Sequence, residues 1–205
     1  MSVPEEELLE ERLPTEFANE EESLKITGFW LFLVTDVLIF ASLFATYAVY
    51  QTRVASGPSP AQLFSLGPAT IETVLLLTSS FTVGMSIWAM RQKKVRALWG
   101  WTLTTLALGA GFVVLELREF MAYGAAGHTW HQSGFLSAFF VLVGTHGAHV
   151  SVGIIWAITI LVQVARRGLT PATTRKLYTF SLYWHFLDVI WVFIFTAVYL
   201  AAKIH

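Results

Sequence analysis

Two histidines stand three residues apart in the apolar stretch "GTHGAHVSVG", which runs from Gly144 to Gly153. On an α-helix, His146 and His149 share one face, where two imidazoles can bind a single metal ion or a haem iron. The chain has no cysteine, so a metal site would rest on histidine and carboxylate ligands. The spacing permits a metal site without requiring one. Whether a site exists depends on which other ligands the neighbouring helices place beside the two histidines.

Seven more ionisable side chains interrupt other apolar stretches. If these stretches span a membrane, each charged group costs about 2.5–3.5 kcal/mol on insertion scales and is a candidate for function or for contact with a partner. The seven are Asp36, Glu72, Glu116, Arg118, Glu119, His185 and Asp188.

The composition indicates a membrane protein. Of the 205 residues, 55% are hydrophobic and only 13% are charged, against about 25% charged residues in soluble domains. The net charge of −1 hides an asymmetry, because residues 1–25 hold nine of the fourteen acidic residues. We therefore expect an acidic cytoplasmic tail over 1–25, in which "EEELLEERL" is either solvated or a short amphipathic surface helix, followed by a membrane domain over 26–205.

Five stretches are long and apolar enough to cross a bilayer, which predicts an all-α bundle of five transmembrane helices. Two basic segments, "RQKKVR" and "RRGLTPATTRK", hold four cations each, and short cytoplasmic loops carry such a positive excess. The N-terminus is then cytoplasmic and the C-terminus outside. The predicted spans are 26–50, 66–90, 98–120, 134–165 and 177–203.

Depth indicates which polar groups can meet. At about 1.5 Å per residue, Asp36, His146 and Asp188 lie about 15–18 Å into their helices, in one layer near the bilayer centre. We expect Asp36 to form a hydrogen bond with a histidine of the fourth helix, and depth favours His146. Asp36 is then either a protonatable group in or beside a proton path or a structural bond between two helices, and the residue chemistry favours the second.

The remaining polar residues have simple interpretations. The small residues around His146 and His149 would let a neighbouring backbone approach, which makes these histidines interhelical hydrogen-bond donors rather than metal ligands. Asp188 can use His185, one turn away, or a partner at an interface. Glu72, Glu116 and Glu119 lie toward the outer side, where they pair with a neighbouring subunit's cations or face water. Lipid headgroups would lie near Arg166, Arg167, Arg175 and Lys176.

Four segments of the chain together resemble subunit III of haem-copper terminal oxidases, in its five-helix bacterial form. They are "GFWLFLVTDVLIFASLFATY", "LGAGFVVLELREF", "GTHGAHVSVG" and "SLYWHFLDVIWVFIFTAVYL". The resemblance covers the chain from about Thr27 to Leu200. It looks most similar to subunit III of quinol oxidases, while bacterial cytochrome c oxidases of the five-helix type share almost the same signatures.

The resemblance implies an accessory role in a multi-pass protein of the bacterial plasma membrane. Such a subunit contacts subunits I, II and IV and phospholipid, supports assembly and proton uptake, and binds neither a redox cofactor nor nucleic acid. The haems and copper belong to the catalytic subunit. Asp36 matches the family's carbodiimide-reactive carboxyl, which is Glu in many members, and His146 and His149 match histidines that bind no metal. A stand-alone transporter or metal-dependent membrane enzyme is the remote alternative.

Overall fold

The computed structural model describes residues 20–54 and 63–204, with side chains over 24–54 and 63–203. The described chain is helical, and five of its helices are long and apolar enough to span a membrane, as the sequence predicts. The first 19 residues, including "EEELLEERL", lie outside the described residues. The helices are α1 (Glu20–Tyr50), α2 (Leu66–Arg91), α3 (Val95–Ala125), α4 (Gly134–Arg167), α5 (Pro171–Ile194), a π-helical turn (Phe195–Leu200) and α6 (Ala201–Ile204).

Several helices extend beyond their predicted apolar spans. Helix α1 begins at Glu20, inside the segment predicted as the acidic tail, and α3 continues five residues past Phe120. Helix α5 begins at Pro171 rather than Leu177, because Thr170 and Thr173 form a capping box and Pro171 suits the first helical position. Hydropathy finds only the apolar part of a helix, whereas backbone hydrogen bonding continues into the polar interface.

Helices α4 and α5 form the centre of the bundle. Helix α4 packs against α1, α3 and α5, and α5 packs against α1, α2 and α4. Helices α2 and α3 form a tight antiparallel hairpin, whose turn places Lys93 in the left-handed region with φ 55°. Two buried hydroxyl pairs join the helices in the half of this hairpin next to the turn, Thr82 to Thr105 and Ser86 to Thr102, both at 2.8 Å.

Two buried tryptophans of α5 connect it to α2. Trp184 donates its indole N–H to Ser79 Oγ at 2.9 Å, and Trp191 donates to Thr73 Oγ1 at 3.0 Å. The hydrophobic effect contributes little between helices in lipid, because the lipid tails are as apolar as the side chains. Close packing and interhelical hydrogen bonds of this kind therefore hold the bundle together. The two rings therefore fix how α5 sits against the α2–α3 hairpin.

The tightly packed glycines of the bundle make room for side chains rather than for a neighbouring backbone. A Cβ on Gly153 would lie 3.1 Å from the rings of Tyr183 and Trp184, and one on Gly147 would overlap the Glu116 carboxyl. The expectation of close backbone approach around the two histidines is therefore wrong, because aromatic rings and one carboxyl group fill the space first.

Candidate functional site

Asp36 of α1 faces His149 of α4. Asp36 is 4% exposed, and its Oδ2 lies 4.0 Å from His149 Nε2. The expected pairing with His146 is wrong. Residues three apart on a helix differ by about 60° in direction, so His149 points toward α1 while His146 points into the bundle.

The backbone fixes one proton of His149. Its Nδ1 lies 2.7 Å from the carbonyl oxygen of Thr145, which can only accept, so Nδ1 carries a hydrogen. Nε2 then faces Asp36 Oδ2, but the 4.0 Å between the two atoms is longer than a hydrogen bond. Tyr183 donates to the His149 carbonyl at 2.9 Å and holds this part of α4 against α5.

His146 lies in the interior of the bundle and is fully buried. Its Nε2 donates to the Leu187 carbonyl at 3.1 Å, and its ring packs against Phe112 and Trp191, with centroid distances of 5.6 and 5.2 Å. Within residues 20–54 and 63–204, no group of three or more His, Cys, Asp or Glu side chains is arranged to hold a metal ion. The contacts of His146 tie α4 to α5.

A third polar group lies at the lateral surface of the bundle. His185 of α5 is exposed, and its Nδ1 lies 2.6 Å from Ser80 Oγ of α2. Asp188, one turn further along α5, is buried and interacts electrostatically with His185. The structure thus brings Asp188 and His185 together and adds Ser80, which the sequence offered no reason to single out.

The three glutamates form one cluster between α2 and α3. Glu72 is fully buried and Glu116 is 3% exposed, while Glu119 is half-buried. Each interacts electrostatically with another carboxyl of the set. Placement at a wet interface or opposite another subunit's cations is therefore wrong for Glu72 and Glu116, because both point into the bundle.

Two tyrosines complete this carboxyl cluster. Tyr123 donates a hydrogen bond to Glu119 Oε1, and Tyr199 donates to Glu119 Oε2 at 3.1 Å. Tyr123 follows Glu119 by four residues, a helical spacing that a reader of the sequence can detect. Tyr199 reaches the site because the π-helical turn adds a residue, which rotates the following side chains by about 100° and brings Tyr199 beside Trp191.

The basic residues lie around the turn between α4 and α5. Arg166 and Arg167 end α4 and are exposed, while Arg175 and Lys176 are half-buried in the first turns of α5. Lys176 Nζ donates to Gln163 Oε1 at 2.6 Å, which engages one of its hydrogens within the chain. Arg166 and Arg167 suit the negative end of the α4 dipole.

Comparison with known proteins places this bundle in a family. Residues 16–203 match the family model described as cytochrome c oxidase subunit III. The chain is 50% identical to quinol oxidase subunit 3 of Bacillus spizizenii, over 91% of this chain and 92% of the relative. It is 44% identical to cytochrome bo(3) ubiquinol oxidase subunit 3 of Pseudomonas putida, over 89% and 88%, and 45% identical to cytochrome c oxidase subunit 3 of Bacillus sp. PS3, over 93% and 92%.

These relatives are bacterial, and each match covers nearly the whole membrane bundle. Five helices that can span a bilayer agree with a multi-pass bacterial membrane protein. The chain belongs to the cytochrome c oxidase subunit III family, the accessory membrane subunit of haem-copper respiratory oxidases.

Proposed function

We propose that this chain is subunit III of a proton-pumping terminal oxidase that takes electrons from a quinol and reduces oxygen to water. The observation that supports the quinol as donor is the 50% identity to a Bacillus protein named quinol oxidase subunit 3, with 49% to a second. The haems and copper belong to the catalytic partner subunit, and this chain supports assembly, lipid contact and proton uptake.

A cytochrome c oxidase is the second candidate. The 45% identity to cytochrome c oxidase subunit 3 of Bacillus sp. PS3 favours it. A stand-alone transporter or metalloenzyme has no such support, because the chain belongs to a family of oxidase subunits.

The donor is tested on the complex purified through a tag on this chain. We expect haem bands in a reduced-minus-oxidised visible spectrum, and oxygen uptake when a quinol is supplied. Uptake with reduced cytochrome c alone would move the assignment to the sister oxidase. A folded, haem-free preparation with its own metal or transport activity would contradict both.

The same proposal includes the orientation and the partners. The cations of the α2–α3 and α4–α5 turns support a cytoplasmic N-terminus and an outer C-terminus, with an acidic tail over 1–25 and the membrane domain over 26–205. Subunits I, II and IV are the proposed partners. The polar group of Ser80, His185 and Asp188 on the lateral surface supports a neighbouring helix there, because lipid offers such groups no hydrogen bonds.

Phospholipid is the other proposed contact. An apolar groove between α1 and α5, lined in part by Leu33, Val37 and Val189, suits an acyl chain. The exposed Arg166 and Arg167 suit anionic headgroups at the membrane surface.

We assign Asp36 a proton-sharing role with His149, in or beside the path of protons toward the catalytic subunit. Support comes from its geometry: Asp36 Oδ2 is buried, lacks a hydrogen-bond partner among the described residues and faces an imidazole whose other nitrogen is fixed as a donor. At 4.0 Å, Asp36 Oδ2 and His149 Nε2 are too far apart for a hydrogen bond, so this oxygen does not tie α1 to α4 as a structural bond would.

Replacing Asp36 by asparagine separates the two roles. We expect Asp36→Asn to keep the haem content and stability of the complex within about 1 kcal/mol, while sustained turnover falls severalfold because the amide holds no exchangeable acid proton. Asp36→Glu is the matched control and should retain turnover. The measurement is oxygen uptake over many turnovers. If both variants lose assembled haem together, Asp36 is a packing residue.

A further inference from the structure

The carboxyl cluster of Glu72, Glu116 and Glu119 is not accounted for by the function proposed above. Three carboxyl groups from two helices meet inside the bundle, and of these three only Glu119 accepts hydrogen bonds from the phenols of Tyr123 and Tyr199. Burial of three negative charges together is prohibitive in a medium of low dielectric constant, so the cluster must bind positive charge.

The carboxyl of Glu72, unpartnered in the described part of the chain, is a separate observation that indicates a bound cation. It comes from a different helix than the other two carboxyls and is 0% exposed. Neither Oε1 nor Oε2 has a hydrogen-bond partner among the described residues, and the group interacts with Glu119. A buried carboxylate without any donor is far more costly than a carboxylic acid, which binds a proton covalently.

Glu116 also has one oxygen without a hydrogen-bond partner. This oxygen, Oε2, is buried and has no partner among the described residues, and the carboxyl interacts electrostatically with Glu72 and Glu119. On the side of α4, the Glu116 carboxyl packs against Gly147, where an added Cβ would overlap it. The space is therefore tight, which favours the smallest cation, the proton.

Glu119 differs from the other two. Each of its oxygens accepts a phenol hydrogen, and two O–H donors stabilise an anion. The charge of the cluster therefore belongs on Glu119. The groups that face it are Glu72 from α2, Glu116 and Tyr123 from α3, and Tyr199 from the π-helical turn.

We propose that Glu72, Glu116 and Glu119 form a buried proton-binding site, which holds two protons on Glu72 and Glu116 and accepts a third on Glu119. Each proton is bound to a carboxyl oxygen and can move from one of the three glutamates to another, so the site needs no other chemical group. The site is separate from the Asp36–His149 pair and does not depend on which electron donor the complex uses.

Infrared spectra of the purified oxidase complex test the first part. A carboxylic acid has a C=O stretch well separated from carboxylate bands, and it shifts in D2O. We expect Glu72→Gln and Glu116→Gln each to remove one such band at neutral pH and to leave the melting temperature unchanged, because a neutral amide replaces a neutral acid of the same shape. Glu119→Gln should remove none, because Glu119 is ionised.

Removing a phenol tests the second part, and it does so without touching a carboxyl. Tyr199→Phe takes one of the two donors from Glu119, so we expect a new carboxylic acid band at a pH where the wild type shows none from Glu119. Tyr47→Phe is the matched control: Tyr47 of α1 is also buried, but it packs against Phe135 of α4 and should add no band.

Two results would overturn the proposal. In the first, no acid band is lost in either glutamine variant and none is gained in Tyr199→Phe, which means that the carboxyls are ionised. In the second, added Na+ or K+ raises the melting temperature of the wild-type complex and Glu72→Gln abolishes this effect, which means that a metal cation is the ligand. If a glutamine variant fails to assemble, the Tyr199→Phe spectrum decides alone.

Discussion

Trp191→Ala is expected to lower the free energy of unfolding of the bundle by about 3 kcal/mol. Truncating a buried Trp costs about 3–5 kcal/mol in soluble proteins. The low end applies here, because lipid also solvates apolar side chains when helices separate. Trp191 is fully buried, its ring centroid lies 4.6 Å from that of Phe112 and 6.2 Å from that of Tyr199, and its indole N–H binds Thr73.

The measurement is the melting temperature of the purified complex, followed through retention of haem absorbance. Trp191→Phe is the first control and should cost far less, because it keeps most of the ring and loses one interhelical hydrogen bond, worth about 0.6 kcal/mol in a membrane. Trp88→Ala on α2 is the second, since this side chain is 49% exposed. Equal losses for Trp88 and Trp191 would contradict a packing role for Trp191.

Gly109→Ala is expected to destabilise the complex by about 1–3 kcal/mol, the usual cost of overpacking a core. A Cβ at this position would lie 2.7 Å from two atoms of the Trp184 ring, Cζ2 and Cη2. The ring cannot retreat, because its N–H is bound to Ser79 and its other edge packs on Gly153. Steric overlap therefore outweighs the gain in helix propensity of about 1 kcal/mol from glycine to alanine.

Gly100→Ala on the same helix is the matched control. A Cβ there meets no atom within 4 Å, so only the favourable propensity term remains and stability should stay equal or rise. Thermal unfolding and assembly yield of the two variants, compared side by side, check the prediction. Similar behaviour of both variants would show that the fit of Trp184 against α3 does not limit stability.

The sequence predicted the five spans and the family because both depend on local signals. Runs of apolar residues define helices that cross a bilayer, wherever the helices pack, and the four quoted segments are read directly along the chain. The helix ends were less predictable. The start of α5 at Pro171 depends on a cap and not on hydropathy.

For the candidate site, too, one part could be predicted from the sequence and another part could not. The amino-acid sequence by itself identified each buried aspartate, glutamate and histidine of the described residues, because such a residue inside an apolar run is visible without a structure. Which groups meet was decided only by the tertiary structure. The rotation of α4 brings His149 and not His146 to Asp36, and the packing of α2 against α3 buries Glu72 beside Glu116.

Tyr199 shows the physical reason most clearly. Its approach to Glu119 requires the extra residue of a π-helical turn, and that turn has no periodicity signal in the apolar stretch that contains it. Composition and spacing determine which residues lie within the membrane and at what depth. The direction in which a side chain points depends on helix rotation and on local departures from α geometry, and these are set by packing among the five helices.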